Sequence, residues 1–414
     1  MTETVKRHTL DNGLVLLGQP MNHVESVSFS FLLPGGASLL PPGFCGTAAV
    51  LNDWLFRGAG PYDSRRLIDA LDGLGLHRHA SVSSEYLAYT VSLESGNLHQ
   101  ALELYADILL RPRLSPDQFD LSRQLALHDL ASLEDDPRHK VMLELYEQFY
   151  PRPLGQSTMG HEEDLRQLKA EQASRLKSRL FDWSRGILAV AGKMDFDQVC
   201  RSVERFFAEA PAAENPPLSI SPSPKDYCHI PNQGAQVHIG FMTEVPPVGS
   251  PSFYQIMAAV SVLSGGMSSR LFTEVREKRG LCYAVGARYH SLRDQAGISG
   301  YAGTTPDKAD QTLDVTLAEF QRLRSGIEED EIDRARVGLK STLIMQNEST
   351  SARASRLAFD QFFLKRVRPL EEIREAIESL TVRSVSDFLS GPLFEHFTIV
   401  SIGPQKLKTG KPKP

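Results

Sequence analysis

The sequence predicts an α+β protein built from two similar domains, on three observations. Strand-like pairs and long helical stretches alternate in blocks rather than as strict strand–helix–strand units, which favours mostly antiparallel sheets with helices packed on one face. Similar patterns recur roughly 210 residues apart, a spacing of duplicated domains rather than of a solenoid. A stretch too rich in Pro and Ser for an element interior, Ala210 to Pro224, separates the copies. The expected division is an N-terminal domain over residues 1–210, a linker over 211–224 and a C-terminal domain over 225–414.

Taken in order, Leu10-Asp11-Asn12-Gly13-Leu14-Val15-Leu16 reads as the first hairpin, with Asn12-Gly13 supplying its turn. Val27-Ser28-Phe29-Ser30-Phe31 alternates as a strand before Pro34-Gly35-Gly36. A strand at Tyr89 to Leu93 and a helix from Leu98 are echoed by Gly297 to Tyr301 and a helix from Ala309. Leu114 to Asp120 opens a long helix, as Ile327 to Asp333 does. Acidic residues in each first turn favour such starts through the macrodipole and capping.

Composition bounds the function. The 414 residues, 41% of them hydrophobic, fill two cores, and no run approaches the roughly 20 apolar residues of a membrane span. A formal charge of −6 gives no nucleic-acid footprint, and Lys406 to Lys413 reads as a solvated, disordered tail. Neither nucleic acid nor membrane is therefore an expected partner. Met1 to Arg7 lacks the apolar core of a secretory signal, so a cytoplasmic location is the default, and a periplasmic one if a leader has been trimmed. Cys45, Cys200, Cys228 and Cys282 show no C-x-x-C spacing and are expected to be reduced thiols. With no histidine in sequence assigned to activate Cys45 or Cys282, a thiol nucleophile is not expected.

Two long motifs carry the chemistry. The first is Gly46-Thr47-Ala48-Ala49-Val50-Leu51-Asn52-Asp53-Trp54-Leu55-Phe56-Arg57-Gly58, which by itself is an amphipathic helix packing a core. The second runs from Leu263-Ser264-Gly265-Gly266 through Arg270-Leu271-Phe272-Thr273-Glu274-Val275-Arg276 to Tyr283-Ala284-Val285. Its Gly265-Gly266 pair has no Gly-Lys-Ser/Thr after it, so a close approach between a helix and another element is a simpler account than a phosphate cradle.

Together these segments resemble the pitrilysin/insulinase family of zinc metallopeptidases, in its branch like the mitochondrial processing peptidase, and the resemblance covers nearly the whole chain. The hairpin at Leu10 to Leu16, the loop Pro151-Arg152-Pro153-Leu154-Gly155 and the strand Ile187 to Gly192 match in order. In the family the first helix reads G-T-A-H-x-x-E-H-x-L-F-K-G, two histidines binding zinc and the glutamate activating water. Here those positions are Ala49, Asn52 and Asp53. Ala49 offers no donor, the amide of Asn52 accepts no proton near neutral pH, and one carboxylate at Asp53 is not a site. The family's further glutamate ligand, on a later helix, aligns with His128 or Asp129, with Glu134 as a register alternative. The expectation is that this chain binds no metal.

In active relatives an arginine and a tyrosine spaced seven apart, here Arg276 and Tyr283, hold the substrate carbonyl and its developing oxyanion. Both are intact. His77 and His79 lie on one face of a strand and could begin a metal site. The resemblance instead makes Leu76 to Ser83, with His77, His79 and Ala80, an edge strand along which a substrate peptide adds. It implies a non-catalytic subunit of a heterodimeric zinc metallopeptidase, an inactive-subunit pseudoenzyme on its own. The expected partners are a paralogous subunit carrying the zinc and the peptide substrate. A catalytically silent structural or peptide-binding protein of the same fold is the alternative, and a self-sufficient hydrolase with another site ranks below both.

Overall fold

The computed structural model describes residues 4–213, 217–223 and 227–408. Parts of the expected linker (Glu214 to Pro216 and Pro224), the first three residues and Thr409 to Pro414 lie outside the described residues. The strands are β1 (Lys6–Thr9), β2 (Val15–Pro20), β3 (Ser26–Pro34), β4 (Gly58–Ala59), β5 (Tyr62–Asp63), β6 (His77–Val82), β7 (Tyr86–Glu94), β8 (Ile187–Gly192), β9 (Tyr227–Pro231), β10 (Val237–Val245), β11 (Cys282–Ser291), β12 (Ala296–Thr304) and β13 (Thr398–Gly403). The helices of the first half are α1 (Thr47–Trp54), α2 (Ser64–Gly73), α3 (Leu98–Leu110), α4 (Pro116–Ala131), α5 (Pro137–Phe149), α6 (Glu162–Gln167), α7 (Ala170–Leu180) and α8 (Phe196–Phe207). Those of the second are α9 (Phe253–Ser264), α10 (Ala309–Arg324), α11 (Glu329–Glu348), α12 (Thr350–Leu364), α13 (Leu370–Glu378) and α14 (Val382–Leu389).

Two compact units emerge. The first takes the residues up to Ser132, Gln156–Ile220 and Met345–Val367, and the second Leu133–Gly155, Ser221–Ile344 and the residues from Arg368 on. A contiguous partition does not describe them, because each half of the chain lends one helix to the other unit.

The first unit holds a six-stranded sheet in the order β1-β2-β8-β3-β7-β6, antiparallel except where β2 runs parallel to β8. Asn12 makes the first turn: its Oδ1 accepts from Leu14 N at 3.1 Å and its amide donates to Phe207 O at 2.8 Å, with Gly13 at φ +95°. One face of the sheet packs Phe29, Phe31 and Val190 against Trp54, Tyr105, Trp183 and Phe207 from the helices. The other face presents Leu17, Leu32, Ile187 and Ala189, and α12 covers it with Leu357, Ala358 and Phe362. Burying such an aliphatic or aromatic side chain is worth about 1.5–3 kcal/mol, so an uncovered second face would forfeit several such terms. Most helices thus lie on one face as expected, and the sequence signal for α12 on the opposite face was the unbroken apolar run of β8.

The second unit repeats the plan in a sheet ordered β11-β12-β10-β13-β9, antiparallel except for β13 with β9. Its face toward α9 and α10 buries Ile239, Phe241 and Ile298, with Phe320 of α10 edge-on to Phe241 at 5.7 Å. On its opposite face α5 packs Val141, Leu145 and Phe149 against Met242, Val400 and Ile402. Five strands of the first sheet match the second in order, β6 with β11 and β3 with β10, leaving β1 without a counterpart, so the exchanged helices α12 and α5 occupy equivalent places. The Gly265-Gly266 pair corrects one expectation. Gly265 ends α9, donating its N–H to Ser261 O at 2.7 Å, and a Cβ on Gly266 would meet no atom within 4 Å among the described residues, so no close approach requires that glycine.

Candidate functional site

In the first unit, α1 starts at Gly46, whose φ of +97° is the left-handed conformation that favours glycine. Gly160 lies so close that a Cβ there would come within 2.5 Å of the Gly46 Cα. The far end of α1 is fixed by Trp54, fully buried, which meets the Phe119 ring edge-on at 5.0 Å and donates from Nε1 to Ser115 O at 3.1 Å. This anchors α1 across α4 and sets which residues face one another.

Asp53 faces α4, and its Oδ2 accepts from Arg57 Nε at 2.5 Å and from Ser122 Oγ at 2.6 Å. Its carboxylate is therefore committed to a cation and a hydroxyl. Asn52 is half-buried with Oδ1 enclosed and without a hydrogen-bond partner, and Ala49 presents a methyl group. On α4, residues seven apart share a face, which places Asp129 in line with Ser122 and Ala126 and turns His128 about 120° away. Both His128 and Asp129 are exposed. Glu134 lies beyond α4, in the second compact unit, where it accepts from Lys140 Nζ at 2.5 Å. The α1 positions that the sequence aligns with a zinc motif do not fit zinc: they offer a methyl group, an amide and a carboxylate already paired.

Strand β6, against which α1 packs, is the edge of its sheet, hydrogen-bonded among the described residues to β7 alone. His77 and His79 stand opposite Ser92 and Thr90 and are exposed, and Ala80 on the other face is half-buried. Among the described residues, neither histidine belongs to a cluster of three metal-ligating side chains.

In the second unit, Arg276 sits in a π-helical turn, Phe272–Glu277, a wide turn recurrent at functional sites. Its guanidinium is exposed, 4.9 Å from the Phe272 ring centre, and pairs with no carboxylate among the described residues. The turn is tied down by buried Glu274. That carboxylate accepts from Lys278 Nζ at 2.8 Å and Arg279 Nη1 at 2.6 Å, and these hydrogen bonds hold its pKa at about 2. Arg270, 6% exposed, adds a bidentate pair with Glu331 at 2.7 and 2.6 Å.

Tyr283 is the extra residue of a β-bulge at the start of β11: Cys282 pairs with Thr304 and Ala284 with the adjacent Gly303. A bulge re-aims a side chain, and Tyr283 lies 44% exposed. Its hydroxyl donates to Gln236 Oε1 at 2.7 Å and lies 3.4 Å from the Tyr301 hydroxyl, which in turn is 2.8 Å from His238 Nδ1. Burial pushes the Tyr301 phenol up and the His238 imidazole down, so both are neutral near pH 7. Beside Tyr301 a cavity of about 420 Å³ is lined by polar groups of Asp136, Arg138, His139 and Arg288.

Sequence reasoning missed Gln236, Tyr301 and Gly303 around Tyr283. The available signal was the run Gly297, Gly300 and Gly303, glycines three apart in a strand, which marks close approach of side chains across the sheet. It also missed His161 and Asp164 beside Cys45, since only the fold brings them together.

Comparison with known proteins is consistent along the chain. A family model described as Insulinase (Peptidase family M16) matches residues 24–162, and one described as Peptidase M16 inactive domain matches residues 172–339. An uncharacterized zinc protease of Rickettsia bellii is 26% identical, over 98% of this chain and 99% of that protein. A crystal structure of a peptidase M16 inactive domain from Pseudomonas fluorescens superposes with a TM-score of 0.89 at 19% identity, covering 99% of this chain and 100% of the other. A chain of Complex III2 from Candida albicans gives 0.83 at 18% identity, covering 99% and 98%. These structural likenesses establish the two-unit α+β fold.

Proposed function

Because this chain belongs to the M16, or insulinase, family of peptidases and yet carries Ala49, Asn52 and Asp53 where the family's zinc motif stands, we propose that it is the non-catalytic subunit of a heterodimeric zinc metallopeptidase. One observation carries the reading. Arg276 and Tyr283 are both exposed, and dedicated local structure holds each: a π-helical turn locked by Glu274, and a β-bulge steered by Gln236 and Gly303.

The substrate is a peptide, and a paralogous chain bears the zinc and the general base. Arg276 and the Tyr283 hydroxyl are directional donors whose task is to orient the scissile carbonyl and to receive the negative charge that develops on its oxygen. The cavity beside Tyr301 offers a flanking residue polar partners. Edge strand β6, with His77, His79 and Ala80, supplies unpaired backbone groups to which an extended peptide adds as a strand.

The test is the mixed complex. Arg276→Ala should lower its peptidase rate by about two to three orders of magnitude without dissociating the subunits. An unchanged rate removes the assigned role. A second reading, a silent structural or peptide-binding protein, is favoured by the likeness to the Complex III2 chain, and it predicts no activity in any mixture.

A further inference from the structure

Immediately before α1, Cys45, His161 and Asp164 converge, with one ligand atom from each lying within 4.8 Å of the others. We propose that these three side chains form a zinc site that ties the entry of α1 to the first turn of α6. It lies outside the family's zinc motif and is independent of the role assigned to Arg276 and Tyr283.

The donor set suits the ion. Zinc takes thiolate, imidazole and carboxylate ligands in a tetrahedron at about 2.0–2.3 Å, which separates neighbouring ligand atoms by about 3.5 Å. Drawing the cluster in by roughly 1.3 Å from 4.8 Å reaches that geometry, and His161, its side chain 53% exposed, is the donor nearest solvent. Thiolate and carboxylate together balance the two positive charges, so a neutral assembly replaces ionised groups beside a buried sulfur. The exposed His161 side leaves the fourth position to water.

The frame beneath is rigid. Gly46 and Gly160 touch through their backbones, and Cys45 N donates to Asp164 Oδ2 at 3.0 Å, holding two of the donor residues together before any ion arrives. The Cys45 thiol now donates to Ser157 O at 3.4 Å. On binding, the S–H bond breaks, its proton passes to solvent, and the sulfur electron pair forms the bond to zinc. Because Cys45 is 3% exposed, a thiol nucleophile acting on a peptide is excluded, whereas a ligand needs no such access.

The experiment uses the full chain, stripped with chelator and titrated with cobalt(II) and then zinc. The expected result is a near-ultraviolet sulfur-to-cobalt charge-transfer band that saturates at one equivalent, is displaced by zinc, and is abolished by Cys45→Ser. Losing a ligand should weaken zinc binding by more than the roughly hundredfold upper limit seen for supporting groups. Wild-type chain without the band, or a band that survives in Cys45→Ser, overturns the proposal. Should Cys45→Ser fail to fold, His161→Gln at the exposed position decides. Zinc should then raise the melting temperature of wild type and not of the variant, and an equal rise in both overturns the site.

Discussion

Gly303→Ala tests the placement of Tyr283 without touching it. A Cβ on Gly303 would lie 2.4 Å from the Tyr283 hydroxyl oxygen, 2.5 Å from its Cζ and 2.7 Å from the Tyr301 hydroxyl, where ordinary contact begins at 3.4 Å. The phenol must therefore retreat by about 1 Å, enough to stretch or break the 2.7 Å bond to Gln236. Tyr283 is 44% exposed and can yield, while the hydroxyl of buried Tyr301 must give by about 0.7 Å, which offsets the roughly 0.5–1 kcal/mol that alanine gains over glycine in a strand, so stability should change little. A donor displaced by about 1 Å costs on the order of a hundredfold in rate. The assay is peptide cleavage by the mixed complex, with thermal unfolding as control. A loss of about a hundredfold in wild type and little further loss in a Tyr283→Phe background is expected, since both changes remove the same donor. A full rate in Gly303→Ala, or an equal loss in both backgrounds, refutes the positioning argument.

Other consequences are as direct. Restoring the family's residues with Ala49→His, Asn52→Glu and Asp53→His should leave the isolated chain without peptidase activity, because Asp53→His strips Arg57 and Ser122 of their acceptor; cleavage by that variant alone would contradict this. Burial holds the His290 imidazole down at about 4, where it stacks on Tyr146 at 4.4 Å and sits 2.7 Å from the Tyr150 hydroxyl. The unfolded chain protonates this ring near 6.5 and the folded one near 4, so its contribution is full above pH 6.5 and is lost as pH falls toward 4, by at most roughly 3 kcal/mol. Urea unfolding of wild type should show that slope between pH 6.5 and 4, and His290→Gln should flatten it. Glu274→Gln strips Lys278 and Arg279 of their charged acceptor in the turn bearing Arg276 and should cost about 2 kcal/mol in the same assay; a loss below about 0.5 kcal/mol would mean that the turn is held otherwise.

The parts legible in the sequence were those written in local pattern. The Asn12-Gly13 turn and the paired helix starts at α4 and α11 follow from neighbours a few residues apart, and the repeat from the recurrence of such patterns. The exchange of α5 and α12 between units was not legible, because nothing local distinguishes a helix that covers its own sheet from one that covers another. Its trace was the lack of polar alternation in β8. That Asp129, and not His128, shares the face of α4 with Ser122 shows only through the pairing of Asp53 with Ser122. The surroundings of Tyr283 depended on a bulge, a one-residue shift in pairing that no composition reveals. Cys45 lies more than a hundred residues before His161 and Asp164 along the chain and meets them through the Gly46–Gly160 contact.

The proposed role, half of a peptidase site completed by a zinc-bearing paralogue, stands or falls on the mixed complex. Its most direct test measures cleavage of a quenched peptide library by the Cys45→Ser chain alone, by a paralogue of the same genome with an intact H-x-x-E-H, and by the two mixed, with zinc counted in each. Using Cys45→Ser keeps a zinc ion at Cys45 out of the count. The account predicts activity that appears only in the mixture, with zinc contributed by the paralogue, and that falls with Arg276→Ala. Full activity of the paralogue alone, unchanged on mixing, or cleavage by this chain alone would contradict it.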